Sequence, residues 1–167
     1  LLIDRAAFPR YKVCGGCLNG AALAALQAAG LGRLVDALGA TPLTQVTLAT
    51  GGRMVTLPIP RGAAISREAL DAALIREAAA AGTCTLLETA AALLPGNAGG
   101  VRRLSLRPNG AAGEDLTAAA RVVIAADGLG GRLLAHEPAF QERISPGSRI
   151  GAGAMLPADA PELARFQ

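Results

Sequence analysis

The sequence predicts an α/β fold, and three observations predict it. Two apolar, strand-like runs each end in an aspartate: Leu1-Leu2-Ile3 before Asp4, and Val122-Val123-Ile124-Ala125-Ala126 before Asp127. Residues 67 to 81 carry apolar side chains at helical spacing, and residues 43 to 59 alternate with a period of two. Strands interleaved with helices are the pattern of a layered α/β sheet.

Taken in order, residues 1 to 3 read as the end of a buried strand that stops at Asp4. Residues 5 to 17 contain Pro9 and Gly15-Gly16 and have no periodicity, so they form a loop. A helix follows from about Leu18 or Asn19, with Asn19 as its cap, because Ala22, Leu23, Leu26 and Ala29 keep one face apolar until Gly30. A second short helix over 31 to 38 ends at Gly39. The period-two stretch places Val46 and Leu48, then, past Gly51-Gly52, Met54 or Val55, Leu57 and Ile59 on a β-hairpin. Ser66 caps the clearest helix, whose apolar stripe is Leu70, Ala73, Leu74 and Ala78 and whose terminator is Gly82. A short strand is expected over 83 to 87, a loop over 94 to 100, and an antiparallel pair over 101 to 107 and 116 to 126 around the Pro108-Asn109-Gly110 turn. The second arm of that pair ends in the apolar run before Asp127, which reads as a strand covered on both faces.

Composition bounds the function. With 51% apolar and 17% charged residues in 167, the chain is globular rather than disordered and long enough for one domain with a core. Aromatic residues are 2% of the sequence and the 16 basic residues form no run, which argues against nucleic-acid binding. No apolar run reaches the roughly 20 residues of a membrane span, and the start is no signal peptide, so a soluble, cytoplasmic protein without stable membrane insertion is expected. The chain opens inside a strand-like run without Met, and an internal piece of a longer protein is expected. Three cysteines, Cys14, Cys17 and Cys84, are an odd number, so reduced thiols are the default.

Several residues could carry chemistry. A carboxylate at the carboxyl end of a strand stands where open α/β sheets bind dinucleotides, and Asp4 fits the acid that accepts from ribose hydroxyls; an ordinary strand-ending acid is the alternative. The run Asp127-Gly128-Leu129-Gly130-Gly131 offers one carboxylate and a backbone free to approach a ligand, or merely a tight turn. It is no GxGxxG turn, because Leu133 stands where the last glycine belongs. Cys14-Gly15-Gly16-Cys17 can be read as a redox dithiol or as half a zinc site, although only Cys84 and His136 remain to complete four ligands. His136, the only histidine, reads as a surface residue rather than a general base, and no Ser/His/Asp arrangement is arguable.

Leu1-Leu2-Ile3-Asp4-Arg5, Phe8-Pro9-Arg10, Lys12-Val13-Cys14-Gly15-Gly16, Ile65-Ser66-Arg67 and Ala125-Ala126-Asp127-Gly128, in that order, resemble the FAD-dependent oxidoreductases of the geranylgeranyl reductase kind, relatives of para-hydroxybenzoate hydroxylase. The resemblance covers roughly residues 1 to 135 and is most specific at 8 to 16 and 122 to 128. It implies a partial Rossmann-like FAD-binding domain over 1–135 with a β-rich insertion at about 43–62, and the start of a substrate-side sheet over 136–167. It implies an enzyme, a monooxygenase or reductase, that takes FAD as cofactor, NAD(P)H as co-substrate and a small apolar or aromatic molecule as substrate.

By the same resemblance Asp4 would hold the adenosine ribose, with Arg5 beside the adenine or pyrophosphate. Cys14, Gly15 and Gly16 would form a loop near the flavin ring, Arg67 would neutralise the pyrophosphate, and Asp127 with Gly128 would make the second FAD contact. Arg132 stands two positions before the arginine usual in that family. The family's GxGxxG turn, expected about 20 residues before Leu1, and its later Gly-Asp motif are not in the sequence. A piece lacking them is expected to bind FAD poorly and to be inactive by itself. Two rival readings stand beside this one, a non-catalytic α/β remnant and a CxxC redox or metal module.

Overall fold

The structure is a computed structural model, and it describes residues 1–96, 99–110, 115–128, 131–140 and 144–148. In chain order its elements are β1 (Leu2–Ile3), β2 (Cys17–Asn19), α1 (Gly20–Ala28), α2 (Leu34–Ala37), β3 (Thr41–Thr50), β4 (Arg53–Ala64), α3 (Arg67–Ala80), β5 (Thr85–Leu86), β6 (Thr89–Leu93), β7 (Arg102–Pro108) and β8 (Leu116–Ala120), followed by a 3-10 turn at Pro138–Phe140. The fold is mixed α/β, and the described residues divide into two units, one from Leu1–Arg10 with residues 74–148 and one from residues 11–73. Of residues 136–167, which the resemblance assigns to the start of a substrate-side sheet, 136–140 and 144–148 are described, with the 3-10 turn at Pro138–Phe140, and the remainder lies outside the described residues.

In the first unit β1 runs parallel to β5, with Leu2 opposite Thr85 and Ile3 opposite Leu86. The ladder continues past the strand ends, because the Asp4 amide donates to the Leu86 carbonyl and the Thr89 amide donates to the Asp4 carbonyl. β6, β7 and β8 form an antiparallel sheet with β7 in the middle. Leu104 and Leu106, two residues apart and therefore on one face of β7, are 6% and 3% exposed and make this unit's core with the buried Thr89. Arg102 ties the following turn to the sheet through both carboxylate oxygens of Glu137, each at 3.3 Å.

In the second unit the hairpin appears where the period of two predicts it, longer at both ends than 43 to 59. Gly51 and Gly52 both have positive φ, 53° and 76°, as a two-residue hairpin turn requires. Cross-strand register pairs Val46 with Leu57 and Leu48 with Val55, so Val55 rather than Met54 shares the apolar face. β2, which the periodicity does not reveal, pairs with the far end of β4 at Gly62–Ala64. Asn19 caps α1 as expected, its side-chain oxygen accepting the Ala22 amide at 2.9 Å. α2 is shorter than the expected 31 to 38 and ends before Gly39, whose φ is +71°. α3 buries Leu70, Ala72 and Ala73 and stops before Gly82, which has a φ of +89°.

One expectation fails. The antiparallel partner of β7 ends at Ala120, and residues 122 to 128 have no assigned strand. Val122 and Ile124 are 76% and 83% exposed, so the run is not covered on both faces. An apolar stretch becomes a buried strand only where neighbouring backbone completes its ladder, and among the described residues no strand pairs with 122–128. β6 goes unsignalled because its sequence, Thr-Ala-Ala-Ala-Leu, has a single β-branched residue, Thr89, and no clear alternation.

Candidate functional site

Asp4 stands directly after β1 and is held on several sides. Its Oδ1 accepts the Ala6 amide at 2.8 Å, and its Oδ2 accepts from the Arg10 guanidinium at 3.3 Å. Arg10 also lies over the Phe8 ring, 5.2 Å from its centroid. Asn109 donates to the Arg5 carbonyl at 3.0 Å and its amide donates to the Glu88 carbonyl, so the turn after β7 fastens the strand end. An ionised carboxylate has about four acceptor positions, so Asp4 keeps capacity for a further donor.

Asp127 belongs to the same unit. Its carboxylate accepts the Leu133 amide at 3.0 Å across the segment 127–133, and the Gly131 amide donates to the Gly128 carbonyl. The Leu133 amide, then the amides of Asp127 itself and Arg132, hold the Asp127 carboxyl below the usual carboxylate range, and the Arg5 charge adds to this. Gly131 lies against that carboxylate so closely that a Cβ there would collide with it. Gly128 has a φ of +83°, the left-handed region glycine enters freely. The Asp127 carboxylate is thus exposed on one side and tied on the other to the Leu133 amide. Arg132 and His136 are exposed.

The loop before β2 carries the remaining candidates, in the second unit. Gly16 has a φ of +64°, and its carbonyl accepts the Ile65 amide at 2.7 Å, tying the loop to the start of α3. A Cβ at Gly16 would come within 3.2 Å of the Ile65 carbonyl oxygen, whereas one at Gly15 would meet nothing within 4 Å. Arg67 occupies the first turn of α3, where Ser66 Oγ accepts the Ala69 amide at 3.3 Å. Its Nε bonds Asp71 Oδ1 at 2.5 Å, and its Nη1 donates to Cys14 Sγ at 3.8 Å. The Gly16 amide first, and the Arg67 guanidinium next, lower the pKa of the Cys14 thiol. The Cys17 thiol donates to the Gly15 carbonyl at 3.2 Å.

The structure therefore gathers Asp4, Arg5, Asp127 and Gly128 in one unit and Cys14, Gly15, Gly16 and Arg67 in the other. Three partners escape a reading of the sequence. Arg10 on Asp4 and Asn109 on Arg5 are joined only by folding, whereas Asp71 stands four residues after Arg67 and its pairing could have been read from that spacing. Among the described residues no three His, Cys, Asp or Glu side chains group as metal ligands do.

Comparison with solved structures places this fold among flavoproteins. CmlS, a flavin-dependent halogenase, superimposes on 80% of this chain with a TM-score of 0.69 at 26% identity, and a flavoprotein/dehydrogenase from Cytophaga hutchinsonii on 71% with a TM-score of 0.61 at 19% identity. The chain spans 26% of the first and 30% of the second. No protein-family profile matches the sequence, and no curated protein does. The fold is of the flavoprotein oxidoreductase type.

Proposed function

We propose that this chain is the nucleotide-binding portion of an FAD-dependent oxidoreductase of the geranylgeranyl reductase and para-hydroxybenzoate hydroxylase kind. The enzyme acts as a monooxygenase or reductase with NAD(P)H on a small apolar or aromatic molecule. The observation that carries this reading is the likeness to a flavin-dependent halogenase over 80% of the chain. The ordered motifs of the sequence point the same way.

The residues present fit the cofactor. Asp4, with acceptor capacity left beside Ala6 and Arg10, is suited to ribose hydroxyls, and Arg5 brings a cation to the same strand end. Asp127, ionised at neutral pH as any exposed aspartate is, accepts hydrogen bonds there, and Gly128 adds backbone that a ligand can approach closely. Gly15 has open space where a side chain would stand, as a loop against a flat ring needs. Arg67 presents a forked donor set suited to a pyrophosphate, steadied by Asp71. When bound, the flavin supplies hydride acceptance and the oxidative or reductive step. The protein groups bind, orient and keep their charges in place.

The test is to express the whole reading frame that contains this chain and purify the protein. A yellow protein that releases FAD on denaturation, and loses it when Asp4 is changed to alanine, supports the reading. A colourless protein that takes up no added FAD would overturn it.

A further inference from the structure

The flavin reading uses the backbone of residues 14 to 16 but gives no task to the two thiols that bracket it. Cys14 and Cys17 are both exposed, and they lie in one unit with the groups around them. Cys14 faces the Arg67 guanidinium at 3.8 Å, and Arg67 is itself held by Asp71 at 2.5 Å. A fixed cation beside an exposed sulfur favours the thiolate, which is the reactive form. The Gly16 amide adds a donor to the same sulfur.

Cys17 is anchored differently. It begins β2, paired with Ala64 of β4, and its thiol points back along the loop to the Gly15 carbonyl at 3.2 Å. Two thiols three residues apart form a disulfide once the backbone brings their Cα atoms to about 4.4–6.8 Å. Gly15 allows that adjustment, because it has no neighbour within 4 Å of its missing Cβ and glycine tolerates most backbone angles.

We infer that Cys14 is a peroxide-reactive thiol and Cys17 its resolving partner, together a reversible dithiol switch, with Arg67 as the positioning residue. In the first step the Cys14 thiolate attacks hydrogen peroxide. The S–O bond forms, the O–O bond breaks, sulfur is oxidised by two electrons, and the leaving hydroxide takes a proton to become water. In the second step the Cys17 sulfur attacks Cys14. The S–S bond forms, the S–O bond breaks, and the departing hydroxide leaves as water with the Cys17 proton. A dithiol reductant reverses the change by exchange. Cys84 is exposed too, but among the described residues no guanidinium donates to it.

The experiment treats the reduced protein with hydrogen peroxide, with and without FAD, and maps the products by mass spectrometry. The expected product is an intramolecular Cys14–Cys17 link that dithiothreitol removes. In Cys17→Ser the oxidised Cys14 is instead captured by dimedone. Arg67→Ala slows the labelling of Cys14 by a limiting alkylating agent about threefold relative to Cys84, since loss of thiolate outweighs the gain in its nucleophilicity, and Arg67→Lys recovers part of the rate. Labelling of Cys14 no faster than Cys84, or peroxide products lacking the 14–17 link, would overturn the inference. Because neither readout needs bound flavin, such a failure is separate from failure of the flavin reading.

Discussion

Replacing Asp127 by alanine asks whether its carboxylate organises the segment that follows it. In the structure that carboxylate accepts the Leu133 amide at 3.0 Å, and Gly131 leaves it the room to do so. A hydrogen bond to a charged acceptor contributes about 1.5–3 kcal/mol, but Asp127 is exposed and screened by water, so about 0.5–1.5 kcal/mol is expected. For a chain of this length each kcal/mol shifts Tm by about 2–4 °C, so the alanine variant should melt about 1–6 °C lower at neutral pH. The pH dependence has a definite sign. The pKa of the folded carboxyl is lowered, led by the Leu133 amide, so its contribution is complete above the unfolded pKa of about 4 and vanishes as pH falls through the folded value. Melting curves of the two proteins between neutral and acid pH are the assay. The gap should be constant above about pH 5 and should close below about pH 4. Asp127→Asn, whose amide oxygen still accepts from Leu133, should fall between them. An alanine variant that melts with the wild type, or a gap that does not close in acid, would refute the reasoning.

Two further outcomes follow from the packing. Leu106→Ala removes a 3%-exposed side chain from the central strand β7 and should cost about 2–5 kcal/mol, read from urea denaturation, whereas exposed Leu116 changed to alanine should cost less than about 1 kcal/mol. Gly16→Ala forces a Cβ into a backbone with φ of +64° and against the Ile65 carbonyl, so it should cost about 1–2 kcal/mol and slow alkylation of Cys14, whose sulfur depends on the Gly16 amide.

Much of this architecture was legible in the residues because it is local. Asn19 and Ser66 cap helices through atoms three residues away, Gly51-Gly52 turn a hairpin, and the alternation of Val46, Leu48, Val55 and Leu57 puts these side chains on one face of the ribbon. Such features depend on neighbours the chain carries with it. The placement of Asp4 at a strand end was legible for the same reason, as was an acid followed by a freely turning glycine at Asp127-Gly128.

Tertiary structure alone decided the rest. Whether 122 to 128 forms a strand depends on a partner strand, and hydrophobicity carries no record of that partner, which is why Val122 and Ile124 contradict their own pattern. The ion pair of Arg10 with Asp4, the bond from Asn109 to Arg5 and the approach of Arg67 to Cys14 join residues that sequence distance separates. Backbone periodicity and capping act within a few residues, so sequence by itself determined helices, hairpin and turns. Charge and hydrogen-bond partners act through space, so only the folded chain decided which amide holds the Asp127 carboxylate, which guanidinium pairs with Asp4, and which thiol faces a cation.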